Sequence, residues 1–500
     1  MTRTAPPSAV STALARDRLG VSSVVFFVMS GVAPLTVAAG VITTAYAVTG
    51  LTAIPAAFIA VALVLGLFSV GYVAMSRHIT NAGAFYAFVA RGLGRPTGVA
   101  AALVALVSYN LLQVGLYGAF GPGAASYAAD KFDLHAPWWV WALSAWVVVA
   151  ILGVLRVDLN GRVLAVLLSA EILVVIALTV AGLLYPAHGQ VSFATLAPTQ
   201  LLTTGIGAAL VIAVLGFVGF EGAAVFSEEA RHPRRTVPTA TYFSLGLIGL
   251  VYAGVSWAMA VHYGNRQVVA ASQQQGPATL FGMSSGVLAE AGRVLFLTSL
   301  FAAMLAFHNF ATRYMFALGR EGVLPRVLER TGQKGAPKVA SIWQSLLGLF
   351  VILLYAAMGW DPLVKLFFWL GTMGGFGILL LVAATSIAVI GFLARTPSYE
   401  SVWHRLIAPG AASVVLLGMV WLAVTNYATL LGCTARTPRQ PMVPVHVPAG
   451  GWSWAAVGAG TAGSQPPGVR RHRARRRCGD GPAAAGGSGR VVAPARGVSR

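Results

Sequence analysis

The chain has 500 residues, 57% of them apolar and only 10% charged, with a mean hydropathy of +0.76. A soluble domain carries about 25% charged residues, so a chain this poor in charge cannot dress a water-facing surface, and its solvent is lipid. The net charge of +20 suggests a nucleic-acid partner, but eleven arginines and one aspartate fall in residues 433–500, so that region alone supplies +10. Both cysteines, Cys433 and Cys478, lie there too, which leaves the preceding 432 residues without thiol chemistry, a disulfide or a cysteine metal site.

Residues 1–20 hold Arg3, Arg16 and Arg18. They lack a short apolar core with a small-residue cleavage site, and read as a cytoplasmic tail rather than a cleaved signal. Eleven apolar stretches follow, at roughly 21–48, 51–75, 98–128, 138–155, 161–185, 203–227, 237–261, 290–318, 339–358, 363–394 and 406–431. Each is near the length that crosses a bilayer as a helix. With the N-terminus inside, the inner segments carry eighteen Lys and Arg and the outer ones four, namely Lys131, Arg266, Arg293 and Lys365. Such a bias sets orientation in the cytoplasmic membrane. The basic character is therefore topological, and the expected contacts are lipid, with no nucleic acid.

Residues 433–500 are rich in Arg, Gly and Pro, show no lasting periodicity and read as disordered. Eleven spans would place this basic tail outside, against the same charge rule. A shifted reading frame near residue 432 would produce so abrupt a change; a genuine divergent tail is the alternative.

Two spans are interrupted. The first contains Ser30-Gly31-Val32-Ala33-Pro34, where Pro34 removes a backbone donor and Gly31 eases departure from the helix. The sixth contains Gly216-Phe217-Val218-Gly219-Phe220-Glu221-Gly222, three glycines and a carboxylate near mid-membrane. Interrupted helices at corresponding places in two halves point to a transporter binding site, because unpaired backbone at that depth is tolerated where it lines a cavity.

The stretch GFVGFEGAAVFSEEARHPRRTVPTATYFSL (216–245) resembles the amino acid–polyamine–organocation permeases. So do NAGAFYAFVARGLGRPTG (81–98), FHNFATRYMFALGREGVLP (307–325) and the SGVAP break, and together the resemblance covers about residues 20–432. It implies an all-α polytopic fold of the leucine-transporter type. In that fold an inverted 5+5 repeat has broken helices 1 and 6, with repeat one at about 21–185, repeat two at about 203–394 and an extra helix at about 406–431. The family's twelfth helix is missing. The implied activity is secondary active transport of amino acids by alternating access, as proton-coupled symport or exchange. Neither a cofactor nor an enzymatic reaction is expected, and a homodimer is left open.

The resemblance carries over to particular residues. It implies that backbone amides of Ser30, Gly31 and Val32 hold a substrate carboxylate, and that carbonyls around Gly219, Phe220 and Glu221 take its amine, with Phe220 as a cover. Glu221 is the foremost candidate for proton coupling, since an intramembrane carboxylate is costly and functional by default. Its bland alternative is a hydrogen-bonded strut. Glu171, where some relatives place a lysine, and His308 are further candidates, each also readable as a structural hydrogen bond, a reading the sequence favours for Glu171. The pair Thr298 and Ser299 resembles a sodium-site motif, placed too near the outer end for that role. Glu228, Glu229, Arg231, Arg234 and Arg235 are expected to form ion pairs closing the inner side, and Arg313 to reach toward the cytoplasmic interface. GTMGGFG (371–377) follows no strand and is read as a packing feature rather than a nucleotide loop. No P-loop, metal-ligand cluster or nucleophile with its base is visible. The rival readings are a polyamine or organocation exchanger and a membrane nutrient sensor that does not transport.

Overall fold

The structure, a computed structural model, describes residue 14 and residues 17–155, 157–332, 335–396 and 400–430, with side chains described for all of these except 157–163, 428 and 429. They belong to one compact unit. The Arg-rich region with both cysteines, most of the segment 1–20, Arg156 and Lys334, and the Arg162 side chain lie outside the described residues.

In lipid the backbone must satisfy its own hydrogen bonds, which leaves the helix as the economical form for each apolar run. The first run comprises α1 (Val21–Val32), the short α2 (Pro34–Thr36), a π-helical stretch Val37–Ile42 and α3 (Thr43–Thr49). Then come α4 (Ile54–Ser76), α5 (Phe85–Leu93), α6 (Arg95–Phe132), α7 (Trp138–Gly153) and α8 (Val157–Leu184). α9 (Ile206–Phe217) leads into a 3₁₀ segment, Phe220–Phe226. α10 (Pro233–Tyr263), the short α11 (Gln267–Gln275) and α12 (Ala278–Phe281), α13 (Gly286–Arg320) and α14 (Lys338–Ala357) follow. A π-helical stretch, Pro362–Trp369, runs into α15 (Leu370–Arg395), and another, Trp403–Ile407, into α16 (Ala408–Thr425) and α17 (Tyr427–Leu430).

All eleven expected spans are helical, and ten are long and apolar enough to cross a membrane. The exception is α7, whose 16 residues reach about 24 Å, short of a hydrocarbon core of about 30 Å.

Contacts between the connections sort them onto two sides. Backbone at Arg18 and Leu19 bonds to Glu229, the Ala82 N–H to Glu228, and Asn81 and Tyr86 to Glu321. Arg77 pairs with Glu400. On the opposite side Gln273 bonds Ala47, Ala187 bonds Val261, and Lys131 pairs with Glu290. This is the alternation that the span order requires.

Glycines set the closest helix crossings. A Cβ on Gly92 of α5 would fall 2.0 Å from the Ala388 carbonyl oxygen of α15. Within GTMGGFG, Gly374 and Gly377 let α15 approach Ser108 of α6, where a Cβ would lie 2.9 and 2.0 Å from its atoms. That motif is a packing surface.

Candidate functional site

α1 and α9 both end in the interior, against each other. Pro34 disfavours helical geometry in the residue before it, and Ala33 takes a left-handed conformation (φ 50°). α1 thus continues through Ser30, Gly31 and Val32, and the departure expected at Gly31 falls two residues later. Between α9 and the 3₁₀ segment Val218 leaves helical geometry (φ −56°, ψ 130°) and Gly219 has φ 111°, a region that glycine alone enters readily. A Cβ on Gly219 would lie 2.9 Å from the Gly31 carbonyl carbon and 3.0 Å from the Val32 nitrogen. The C-terminal ends of two helices therefore converge, and helix C-termini carry partial negative charge.

Gly31 serves a second purpose. A Cβ there would come within 2.9 Å of the Phe310 ring, and one on Gly222 within 2.5 Å. The two glycines make the slot that Phe310 fills. Phe220 packs edge-on to Phe68 of α4, with ring centroids 6.1 Å apart, and does not line the adjoining cavity.

The two intramembrane carboxylates have separate partners. Glu221 is fully buried: its Oε1 accepts the Tyr109 hydroxyl of α6 at 2.9 Å, and its Oε2 accepts the Gly219 N–H at 2.9 Å. Its backbone carbonyl accepts the Tyr72 hydroxyl at 2.8 Å. Glu171 of α8 reaches the other break. Its Oε1 accepts the Leu35 N–H at 2.5 Å and the Ser299 hydroxyl at 2.7 Å, while its Oε2 is buried without a hydrogen-bond partner among the described residues. Ser299 in turn accepts from the backbone N–H and the hydroxyl of Thr36, at 3.1 and 2.9 Å. The N–H groups freed at the start of α2 are thus taken by Glu171 and Ser299. His308 stands apart from both carboxylates: its Nε2 bonds the Ser341 hydroxyl of α14 at 2.9 Å, in a space that Gly153 of α7 leaves open.

A cavity of about 130 Å³ opens beside the junction. Thr36, Val37, Gly40, Val41 and Thr44 form one helical face of its wall, since they recur at three- and four-residue spacing. Leu112 and Leu116 of α6, Ile212 and Leu215 of α9, and Phe307 of α13 supply apolar walls. Phe367, Phe368, Gly371 and Thr372 close it from the segment leading into α15. Among the described residues no Asp, Glu, Lys or Arg lines it. Two of the three π-helical stretches, Val37–Ile42 and Pro362–Trp369, contribute to this wall, as such stretches often do at functional sites.

Toward the N-terminal side the interior is filled. Phe310 contacts Phe226 (5.8 Å between centroids) and Tyr109 (5.7 Å), and Phe226 lies tilted against Phe27 (4.4 Å). Beneath them the Arg313 guanidinium lies 4.6 Å over the Phe226 ring and holds Glu229 through two bonds of 2.5 and 3.2 Å, with both side chains about 2% exposed or less. Arg313 does not extend to the interface; Glu229 and the Asn309 carbonyl and side chain satisfy it in place. Glu228 pairs with Arg320 at 2.6 Å. Finally Arg18 and Leu19 donate to the Glu229 carbonyl and the Arg231 N–H donates to Leu19, forming a strap across this side. The arginines paired with Glu229 and Glu228, Arg313 and Arg320, come from α13, whereas Arg231, Arg234 and Arg235 are exposed. Tyr109, Phe310 and the Arg313–Glu229 pair escape sequence reasoning, and the glycines at 31 and 222 are the one signal that a ring is accommodated there.

Residues 19–460 match the family described as Amino acid permease, and the chain belongs to that family, within the amino acid–polyamine–organocation superfamily. With ten helices among its described residues long and apolar enough to cross a membrane, it is a multi-pass integral membrane protein. It is 25% identical over 242 residues to the branched-chain amino acid permease BcaP of Bacillus subtilis (strain 168), covering 45% of this chain and 48% of that one. It is 26% identical over 206 residues to BcaP of Lactococcus lactis subsp. cremoris (strain MG1363), covering 38% and 42%. Against the L-methionine/branched-chain amino acid exporter YjeH of Escherichia coli (strain K12) it is 27% identical over 270 residues, covering 49% and 60%. The matched region thus spans about half the length of these relatives.

Proposed function

We propose that the protein is a secondary transporter, not an enzyme, carrying amino acids with apolar side chains across the cytoplasmic membrane by alternating access. The observation that carries this reading is the uncharged, apolar cavity beside the converging ends of α1 and α9. Carbonyls in the last turns of these helices, around Gly31, Val32 and Phe217, favour an ammonium group. The substrate side chain extends among Val37, Leu112 and Ile212. An apolar cavity of roughly 150 Å³ holds a molecule the size of benzene, and this one is of that order. The relatives' names agree, since each refers to branched-chain amino acids.

In this reading the first and sixth spans are the broken helices of an inverted repeat, with halves at about 21–185 and 203–394. The Lys and Arg bias places the strapped side, and the N-terminus, in the cytoplasm. Glu221 and Glu171 are the proton-coupling groups: each is buried and holds one break through backbone N–H bonds, so its charge bears on the geometry there. Glu228 and Glu229, with Arg320 and Arg313, form the cytoplasmic closure. His308, bonded to Ser341, contributes to helix packing. A cationic diamine finds no acid in the cavity wall, and the exchanger reading loses support for that reason.

The test is uptake of labelled leucine, methionine, alanine, lysine and putrescine into proteoliposomes, with and without an imposed pH gradient. Uptake of leucine and methionine, stimulated by an inward proton gradient, is expected. Uptake of lysine or putrescine alone would overturn the substrate assignment, and binding without uptake would overturn transport.

A further inference from the structure

We propose that Gly40 and Gly371 set the size of side chain that the cavity admits, an inference that rests on the transporter reading above. Three glycines line the cavity, Gly31, Gly40 and Gly371. A Cβ on Gly31 would strike Phe310, so packing accounts for that one. A Cβ on Gly40 or on Gly371 would meet nothing within 4 Å.

The usual reasons for an intramembrane glycine fail at these two positions. Close helix approach requires a neighbour against the glycine, and none is there. A left-handed conformation requires positive φ, and neither residue has it. Both sit in continuous helical backbone, Gly40 inside the stretch Val37–Ile42 and Gly371 in the first turn of α15. In a helix interior alanine is the better residue by about 1 kcal/mol. Gly40 is also buried, so the open space before it is not lipid. For Gly40 the cavity is what remains, and Gly371, half-buried, lines the same cavity. A methyl group at either position would take up volume that a substrate side chain otherwise occupies. The resulting change is the same in kind as adding or removing a methylene in an apolar pocket, which alters discrimination by about tenfold or more.

The experiment compares leucine and alanine uptake by the full chain in proteoliposomes. Gly40→Ala and Gly371→Ala are each expected to lower the leucine-to-alanine ratio of kcat/KM by about tenfold, and Gly40→Val to lower it further. Gly246→Ala, at an exposed glycine of α10 that also has open space before it, controls for helix propensity and leaves the ratio where it is. Thermal stabilisation of the detergent-purified protein by leucine against alanine gives a second readout, expected to shift the same way. An unchanged ratio in both alanine variants would overturn the proposal, as would an equal fall for both substrates. Failure of either alanine variant to fold would also overturn it, because open space admits a methyl group. If the parent chain takes up neither amino acid, the transporter reading fails and this inference falls with it. Intact leucine uptake by the parent with unmoved selectivity sinks the size filter alone.

Discussion

The two sides of the junction between α1 and α9 are built on opposite plans. Toward Thr44 the wall is largely apolar, Gly40 and Gly371 face empty space, and no charged side chain among the described residues enters. Toward Leu19 the same helices are stoppered by Phe27, Phe226 and Phe310, then by the buried Arg313–Glu229 pair, then by a backbone strap. The difference teaches where the resistance to opening lies. Apolar walls part without leaving an unsatisfied group, whereas a buried ion pair cannot be separated cheaply unless water reaches both partners. The closed side is therefore held by a buried ion pair, whereas the cavity wall carries no such pair among the described residues.

That contrast can be broken most forcefully at Arg313. Arg313→Ala leaves the Glu229 carboxylate buried and unpaired and is expected to cost about 3–5 kcal/mol, read as lost thermal stability in detergent. Arg313→Met combined with Glu229→Leu restores most of the loss, since no charge then remains unpaired. A cost below about 1 kcal/mol for the single change would show that this side is not held by the pair.

The aromatic stopper gives a smaller effect. Gly222→Ala drives a methyl group to 2.5 Å from the Phe310 ring, an overpacking expected to cost about 1–3 kcal/mol. The cost should shrink when Phe310→Ala is made in the same chain, because the slot is then empty. A double-mutant cycle with no coupling between the two would contradict the slot.

Glu221 sharpens the comparison at the junction itself. Its oxygens accept from the Gly219 N–H and the Tyr109 hydroxyl, so Glu221→Gln keeps its amide oxygen on Gly219, turns its N–H₂ to the Tyr109 oxygen and loses the charge assistance of both bonds, at about 1–2 kcal/mol. Function gives the sign. If the carboxyl carries the proton inward, uptake rises as the outer pH falls, and in the glutamine variant that dependence flattens. A variant that keeps the parent's pH profile would return Glu221 to a purely structural role. The smallest effect is expected at Arg320→Ala. Its pair with Glu228 is partly exposed, and such pairs contribute about 1 kcal/mol or less.

Much of this architecture is legible in the amino-acid order, because each apolar run dictates its own helix. Pro34 announces a change in the backbone, and it falls on Ala33, the residue that proline restricts, while Gly31 stays helical and seats Phe310. Glu221 and Glu171 stand out as carboxylates in lipid. Their partners do not, since Tyr109 lies 112 residues from Glu221, and Leu35 and Ser299 lie 136 and 128 residues from Glu171. Local periodicity holds no record of pairings at such separations. The same limit explains why Glu228 and Glu229 look destined for the neighbouring arginines. Only the fold brings Arg313 and Arg320 of α13 to them.

The central claim is that an apolar amino acid occupies the cavity from the side opposite the N-terminus. It is tested most directly by replacing Cys433 and Cys478 with serine, introducing Thr44→Cys in the cavity wall, and following its modification by a membrane-impermeant thiol reagent. The account predicts labelling from that side, slowed by leucine and unaffected by lysine or putrescine. Labelling that proceeds at one rate whatever amino acid is present would contradict it.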